Sequence, residues 1–307
     1  MQVQGDGMQT GGGIGRTLRF ALYAVPVLIA AAAGMLYFGS GPRGPASHAG
    51  SVQVSGSETM RPVVTACAED FMTRNPQADI IVRGGGSGDG VAAVLHGLVD
   101  IGMISREPSK RERDYAASRK IELSIAELAL DGVAVVAHRG NAAGALSLAQ
   151  VQGIFAGKID NWRQLEGPDA AIRAFARAEG SGTASLFGER VMGEERYAAS
   201  VQRLPTNEAI VAEVAKTPGA VGYTGLGALR GNQVPAIALR HDAQSAPVAA
   251  ETETIRSGQY PLARALSFAS AGHLTGAAKA FLDSCLSPRG QAMFQRAGYV
   301  GIAAAGP

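Results

Sequence analysis

The chain has 307 residues, of which 46% are hydrophobic and 18% charged, enough apolar material for one large domain or two medium ones around buried cores. Its formal charge of +2 at pH 7 sits in the first 49 residues, where Arg16, Arg19 and Arg43 face only Asp6. Residues 50–307 are therefore neutral overall and hold no Lys/Arg run, which excludes a nucleic-acid partner, because such a partner requires a basic face.

Phe20 to Pro42 is uncharged and dominated by Ala, Leu, Val and Ile, with Arg16 and Arg19 just before it. A run of this length can cross a bilayer, and the flanking arginines hold its start in the cytoplasm. Two readings stand. A cleaved signal peptide would end at the small-x-small site Ser47-His48-Ala49. An uncleaved anchor fits the length better, since cleaved apolar regions are only ~7–15 residues long. Both export the rest of the chain. No Cys follows the run closely, so lipid attachment there is not expected. The N-terminal division is 1–17 as a cytoplasmic segment, 18–42 as signal peptide or anchor, and 43–50 as a Gly/Pro/Ser linker.

After the linker, strand and helix patterns alternate. Ser51–Ser55 reads as a short strand. Thr59–Arg74 follows with Val63, Cys67 and Phe71 spaced for one helical face, and Asn75-Pro76 ends it. Asp79–Arg83 is a β-branched strand. Gly88–Leu98 is a helix with Val91, Val94, Leu95 and Leu98 on one face, leaving His96 exposed. Val99–Ile104 and the strongly apolar Leu128–His138 continue the series. Then come helix Gln150–Phe155, strand Ala171–Arg177, helices Ala184–Met192 and Asn207–Lys216, and strand Ala220–Thr224. Strand Leu262–Ser270 and helices Gly276–Cys285 and Pro288–Ala297 close it. Alternation of this kind predicts an α/β fold with mostly parallel strands covered by helices. Cys67 and Cys285, the only cysteines, form a disulfide in an oxidising compartment or act as two small buried hydrophobes.

Four loops share one design: Gly56-Ser57-Glu58-Thr59, Gly84 to Gly88 with Ser87, Ser105-Arg106, and Gly180-Ser181-Gly182-Thr183. Each follows a strand and most lead into a helix. The first N–H groups of a helix have no backbone partner and carry partial positive charge. Gly lets them approach a ligand, and Ser and Thr hydroxyls add donors, so the set forms an anion site without a large net charge. For any single loop the simpler reading is that Ser57 and Thr183 are helix caps and the glycines turn residues. Several such loops in one α/β chain favour a ligand beyond the carboxyl ends of the strands. Enzyme motifs fail on spacing. Gly84 to Gly90 misses G-x-G-x-x-G and lacks the P-loop Lys, and no nucleophile elbow surrounds Ser87 or Ser181. The histidines are scattered and no H-E-x-x-H occurs, so no enzyme, metal or cofactor is expected.

These segments together resemble the periplasmic phosphate-binding proteins that feed ATP-driven phosphate importers. The likeness covers about residues 51–303. It rests on Gly56 to Pro62, on Gly84 to Gly88, on Asp100-Ile101-Gly102-Met103-Ile104-Ser105-Arg106, and on Arg177-Ala178-Glu179-Gly180-Ser181-Gly182-Thr183. Ile154 to Trp162, Gly219 to Tyr223 and Tyr260-Pro261-Leu262-Ala263-Arg264 support it. The resemblance implies an α/β, two-lobed periplasmic-binding-protein fold. Each lobe is a mostly parallel sheet flanked by helices, and two hinge strands join them near Asp131–Ala137 and Tyr260–Leu266. Lobe one would combine 51–131 with 262–307, and lobe two would be 132–261, with Trp162 a packing residue.

It further implies a monomeric solute-binding protein that holds inorganic phosphate or a similar tetrahedral oxyanion and delivers it to an ABC permease from the periplasm. The alternative is a membrane-anchored sensor or scavenger of the anion. Thr59, Ser87, Arg177, Ser181, Gly182 and Thr183 carry over as ligand-binding residues, with Ser57, Glu58, Ser105 and Arg106 beside them. Arg177 forks two oxygens, and Glu179 is expected to hold it. Glu58 and Asp89 depart from the family pattern, and Ser105-Arg106 stands where some relatives carry an Asp. Phosphate keeps a proton near neutral pH and sulfate does not, so a carboxylate accepting that proton favours phosphate. Glu58 is assigned that role, with Arg106 offsetting its charge. A cleft tuned to another anion is the alternative.

Overall fold

The computed structural model describes residues 51–141, 144–231 and 234–302. The segments 1–17, 18–42 and 43–50 lie outside the described residues, and with them the signal-or-anchor reading. Among the described residues, no helix is long and apolar enough to cross a membrane.

The first half of the described chain runs β1 (Ser51–Gly56), α1 (Arg61–Arg74), β2 (Asp79–Arg83), α2 (Ser87–Leu95), β3 (Ile101–Ile104), α3 (Lys110–Ser118) and β4 (Leu123–Ala137). Next come β5 (Leu146–Ser147), α4 (Leu148–Phe155), β6 (Arg173–Arg177), α5 (Gly182–Phe187), β7 (Gln202–Leu204), α6 (Asn207–Lys216) and β8 (Ala220–Gly225). The short β9 (Ala236–Ile237), β10 (Leu239–Arg240) and α7 (Thr252–Arg256) follow. Last are β11 (Ala263–Ala271), α8 (Gly276–Leu286), α9 (Pro288–Arg296) and β12 (Val300–Gly301).

The principal strand order is β2-β1-β3-β11-β4-β8-β6-β7. β1 pairs in parallel with β2 and β3, and β6 pairs in parallel with β7 and β8. The antiparallel pairs are made by β4 and β11 with each other and with their neighbours. Helices cover the parallel portions, as fully buried strands require.

Each half has its own core. One gathers Val54, Val64, Cys67, Phe71, Met103, Leu266, Phe268, Phe281 and Phe294. The other gathers Val133, Val135, Phe155, Trp162, Phe187, Tyr223 and Tyr260. Fully burying each Val, Leu or Phe contributes about 1.5–3 kcal/mol, so either core is substantial. β4 gives Leu128 and Ala129 to the first core and Val133 and Val135 to the second. It therefore runs through both lobes, and β11 runs beside it in the opposite direction. Asp131 and Arg264 are opposite each other in the register of this pair.

Most boundaries follow the sequence pattern to within a few residues. The helix beginning at Arg61 buries Val63, Cys67 and Phe71 as its spacing requires. Leu98 differs: α2 stops at Leu95 and Leu98 is 68% exposed. Gly97, at φ +66, turns the chain there, so the helical face cannot continue. The helix expected over Ala184–Met192 is α5 followed by a π-helical turn, Gly188–Met192. α3 was not evident from periodicity. Its residues are polar, only Ala116 is buried, and a capping box between Ser109 and Glu112 starts it. Cys67 and Cys285 are both free and buried. The Cys67 side chain and burial push the Cys285 thiol well above its ordinary range. Trp162 is fully buried, with its indole N–H donating to Gly219 O at 2.9 Å.

Candidate oxyanion site

Three of the loops bring their hydroxyls to one place because each follows a strand of the same sheet. Gly56 ends β1, Ser87 begins α2 beyond β2, and Ser105 follows β3. Ser57 Oγ donates to Ser105 Oγ at 3.0 Å. Ser105 Oγ lies 3.2 Å from Ser87 Oγ, and the Ser105 backbone N–H donates to Ser87 Oγ at 3.0 Å. All three serines are buried. Ser57 is no helix cap, since the N-cap of α1 is Met60.

The fourth loop comes from the other lobe and meets them. Thr183 Oγ1 lies 3.2 Å from Thr59 Oγ1. Ser181 caps α5, its oxygen accepting from the N–H groups of Thr183 and Ala184. Gly182 has no side chain because there is no room for one. A Cβ there would stand 2.3 Å from Ser105 Oγ and 2.4 Å from Ser87 Oγ. Gly86 is similarly confined: its φ is +151, and a Cβ would stand 2.7 Å from Gly180 O. The Gly88 N–H donates to Gly180 O at 3.4 Å, again from one lobe to the other.

Arg177, the last residue of β6, is 1% exposed. Its Nη2 donates to Pro205 O at 2.8 Å and its Nη1 donates to Asn207 Oδ1. Its Nε is buried and, among the described residues, has no hydrogen-bond partner. Burial first, and the positive charge of Arg264 second, push this guanidinium down to about 10, so it stays cationic at neutral pH. A buried cation with an unused donor, repelled by a second cation and only partly offset by the fields of Glu208 and Glu58, is a charge that an anion would relieve.

Glu179 does not hold Arg177 as expected. Its side chain is 85% exposed and meets Arg203 at 3.6 Å, because Gly180 at φ +82 turns the loop away. Asn207 and Pro205 do that work instead. Arg106 does not offset Glu58 either. Arg106 forks onto Glu112 at 2.7 and 2.8 Å. Burial would raise the Glu112 carboxyl, but Arg106 and the Ser109 N–H hold it below its usual value of 4.5. Glu58 Oε2 accepts from Arg61 Nε at 2.8 Å and Oε1 from the Gly85 N–H at 2.9 Å. Its counter-charge is thus Arg61, three residues on.

Three residues of the cluster carry no loop signature. Asn207 joins Arg177 to Thr59 Oγ1, donating to the latter at 3.0 Å. Arg264 and Asp131 form a fully buried pair, with Nη2 to Oδ2 at 2.6 Å and Nε to Oδ2 at 2.9 Å. The signal available for this pair was Asp131 inside the apolar run 128–137 and Arg264 as the one charge of β11. Such charges are buried only when paired. Among the described residues, no group of His, Cys, Asp or Glu could hold a metal ion.

The chain has known relatives. A profile described as the PBP superfamily domain matches residues 41–289. The phosphate-binding protein PstS of Bacillus subtilis is 32% identical over 241 residues, spanning 78% of this chain and 77% of that protein. A crystal structure described as a putative phosphate ABC transporter substrate-binding protein with bound phosphate, from Clostridium perfringens, superposes with a TM-score of 0.74 at 30% identity. It covers 82% of this chain and 100% of that one. An ABC-type phosphate transport receptor from Vibrio cholerae superposes with a TM-score of 0.68 at 25% identity, again over 82% and 100%.

Proposed function

This chain belongs to the phosphate-binding protein family of the PBP superfamily, and from that membership we propose that it binds inorganic phosphate between its lobes as an extracytoplasmic solute-binding protein. The observation that carries the reading is the buried Arg177, cationic and with an unused Nε, among hydroxyls contributed by both lobes. Ser57, Thr59, Ser87, Ser105, Arg177, Ser181, Gly182 and Thr183 form the cradle, with Glu58 and Arg106 at its edge. The lobes divide at 131/132, within β4, and at 261/262, just before β11. Contacts made only with the lobes together let the anion drive closure. The ligand is delivered unchanged to an ABC permease by a monomeric carrier in the periplasm, with no chemical step.

Hydrogen bonds to charged groups contribute about 1.5–3 kcal/mol each. Four or five of them, less the cost of ordering, reach micromolar affinity, about −8 kcal/mol. The test is calorimetric titration of the chain with phosphate, sulfate and molybdate. Saturable phosphate binding at one site is expected, and no heat with any of the three would defeat the reading. The apolar run Phe20 to Pro42 favours a second reading, a tethered sensor or scavenger. The N-terminus of the protein recovered from the cell envelope separates them: a start at Gly50 means a diffusing carrier, and an intact Phe20 to Pro42 means a tether.

A further inference from the structure

The Arg264–Asp131 pair lies on the two strands shared by the lobes, yet Arg264 reaches into both. Its Nη1 donates to Thr183 Oγ1 at 3.0 Å, to Ser105 O at 3.2 Å and to Ser105 Oγ at 3.4 Å. Its Nη2 donates to Thr59 Oγ1 at 3.4 Å. Asp131 fixes this aim. Oδ2 takes Nε and Nη2, and Oδ1 accepts from the Leu226 N–H at 3.1 Å. Gly225 leaves the space, since a Cβ there would stand 3.0 Å from Asp131 Oδ2 and 3.1 Å from Arg264 Nη2.

The consequence lies in the hydroxyls. A hydroxyl has one proton and two lone pairs. Thr59 Oγ1 already accepts from Arg264 and from Asn207 Nδ2. Ser105 Oγ already accepts from Arg264 and from Ser57 Oγ. Both oxygens are therefore full, and each hydroxyl can only donate. With Thr59 obliged to donate, its nearest acceptor without an anion is Thr183 Oγ1 at 3.2 Å, which also accepts from Arg264 and so turns its own proton elsewhere; Ser105 likewise holds its proton toward Ser87 Oγ at 3.2 Å until an anion takes it. A guanidinium donates five N–H groups and accepts none, so it enforces this polarity without competing for the anion.

We infer that Arg264, aimed by Asp131, is the positioning residue of the oxyanion site: it turns the Thr59, Ser105 and Thr183 hydroxyls into donors toward a tetrahedral oxyanion and lets one side chain sense both lobes. The inference rests on the phosphate-binding reading above. It sets the chemical class of ligand as well. Hydroxyls that can only donate suit the bare oxygens of a fully ionised oxyanion, and they do not themselves select for the proton that phosphate keeps and sulfate lacks.

Arg264→Met alone would orphan a buried carboxylate, so the test replaces the pair, Arg264→Met with Asp131→Leu, and uses Arg264→Lys as a second variant. Phosphate and sulfate are titrated calorimetrically into the full chain in mild detergent, and the melting temperature is read without ligand. The unsubstituted protein should bind phosphate. The paired variant should keep a cooperative melting transition yet lose about 10- to 100-fold in phosphate affinity, the worth of one or two misaligned charge-assisted hydrogen bonds. Its remaining preference should shift toward phosphate over sulfate, because freed hydroxyls can accept the phosphate proton. A residue that only props the fold would not move that ratio. Arg264→Lys keeps the charge but not the fork, and should lose affinity too. Affinities in both variants within about threefold of the unsubstituted protein would overturn the inference and leave the phosphate reading standing. No binding by the unsubstituted protein would remove both.

Discussion

Replacing Arg177 by Met separates a residue kept for a ligand from one kept for the fold. Burial holds the guanidinium well below its ordinary range, at about 10, at a site that is 1% exposed. At 1.36 kcal/mol per pKa unit, holding the charge there costs the ligand-free protein about 3 kcal/mol. The sign follows from the lowered value. The cost is present wherever the group is charged, and it fades only as pH rises through about 10. Met removes that cost and leaves Pro205 O and Asn207 Oδ1 without their donor, at about 1–3 kcal/mol each where water cannot reach. These terms nearly offset. No carboxylate is orphaned, because among the described residues Arg177 binds Asn207 and Pro205 and forms no ion pair. The ligand-free midpoint should therefore move by only a few degrees. Saturating phosphate behaves differently. At 100 times the dissociation constant it stabilises the unsubstituted protein by about 2.7 kcal/mol. That is roughly 5–10 °C for a chain of this size. Thermal melts with and without phosphate should show this rise in the unsubstituted protein and none in Arg177→Met. A variant that keeps the rise, or one whose ligand-free midpoint collapses by more than about 10 °C, would refute the reasoning.

Gly182→Ala should abolish phosphate binding with little effect on α5, because its methyl enters the space beside Ser105 and Ser87 and not the helix; calorimetry and the melting midpoint check both halves. Glu58→Gln should leave the preference for phosphate over sulfate within the same order of magnitude, since both carboxylate oxygens are engaged by Arg61 and Gly85; a tenfold fall would return the proton-accepting role to Glu58. The lowered Glu112 carboxyl contributes stability at neutral pH that disappears as pH falls below its usual value of 4.5, and Glu112→Gln should flatten that part of the stability-against-pH curve. Phe187→Ala removes a ring stacked on Tyr223 at 3.8 Å and set against Phe155 at 4.8 Å, and should cost about 3–5 kcal/mol by chemical denaturation.

The loops of the site were legible because their chemistry is local. A strand, a Gly/Ser/Thr turn and a helix start are neighbours in sequence, so Ser87, Ser105 and Thr183 declared themselves one loop at a time. Arg264, Asp131 and Asn207 did not. Asp131 and Arg264 are 133 residues apart and meet only through the register of β4 against β11. Asn207 is the first residue of a helix whose visible signal is its cap, Thr206. The assignment of Glu179 to Arg177 erred for the opposite reason: nearness in sequence suggested a contact that the turn at Gly180 prevents. α3 lacked an apolar period because a single residue of it is buried, though Ser109 and Glu112 already spelled its start. Periodicity finds elements that face a core and passes over those that face water.

A crystal structure grown with phosphate tests the central claim most directly. The account places the phosphorus between the lobes, with oxygens within hydrogen-bond reach of Arg177 Nε and of the Thr59, Ser105 and Thr183 hydroxyls. Density for the anion elsewhere, or an empty cradle at saturating phosphate, would contradict it.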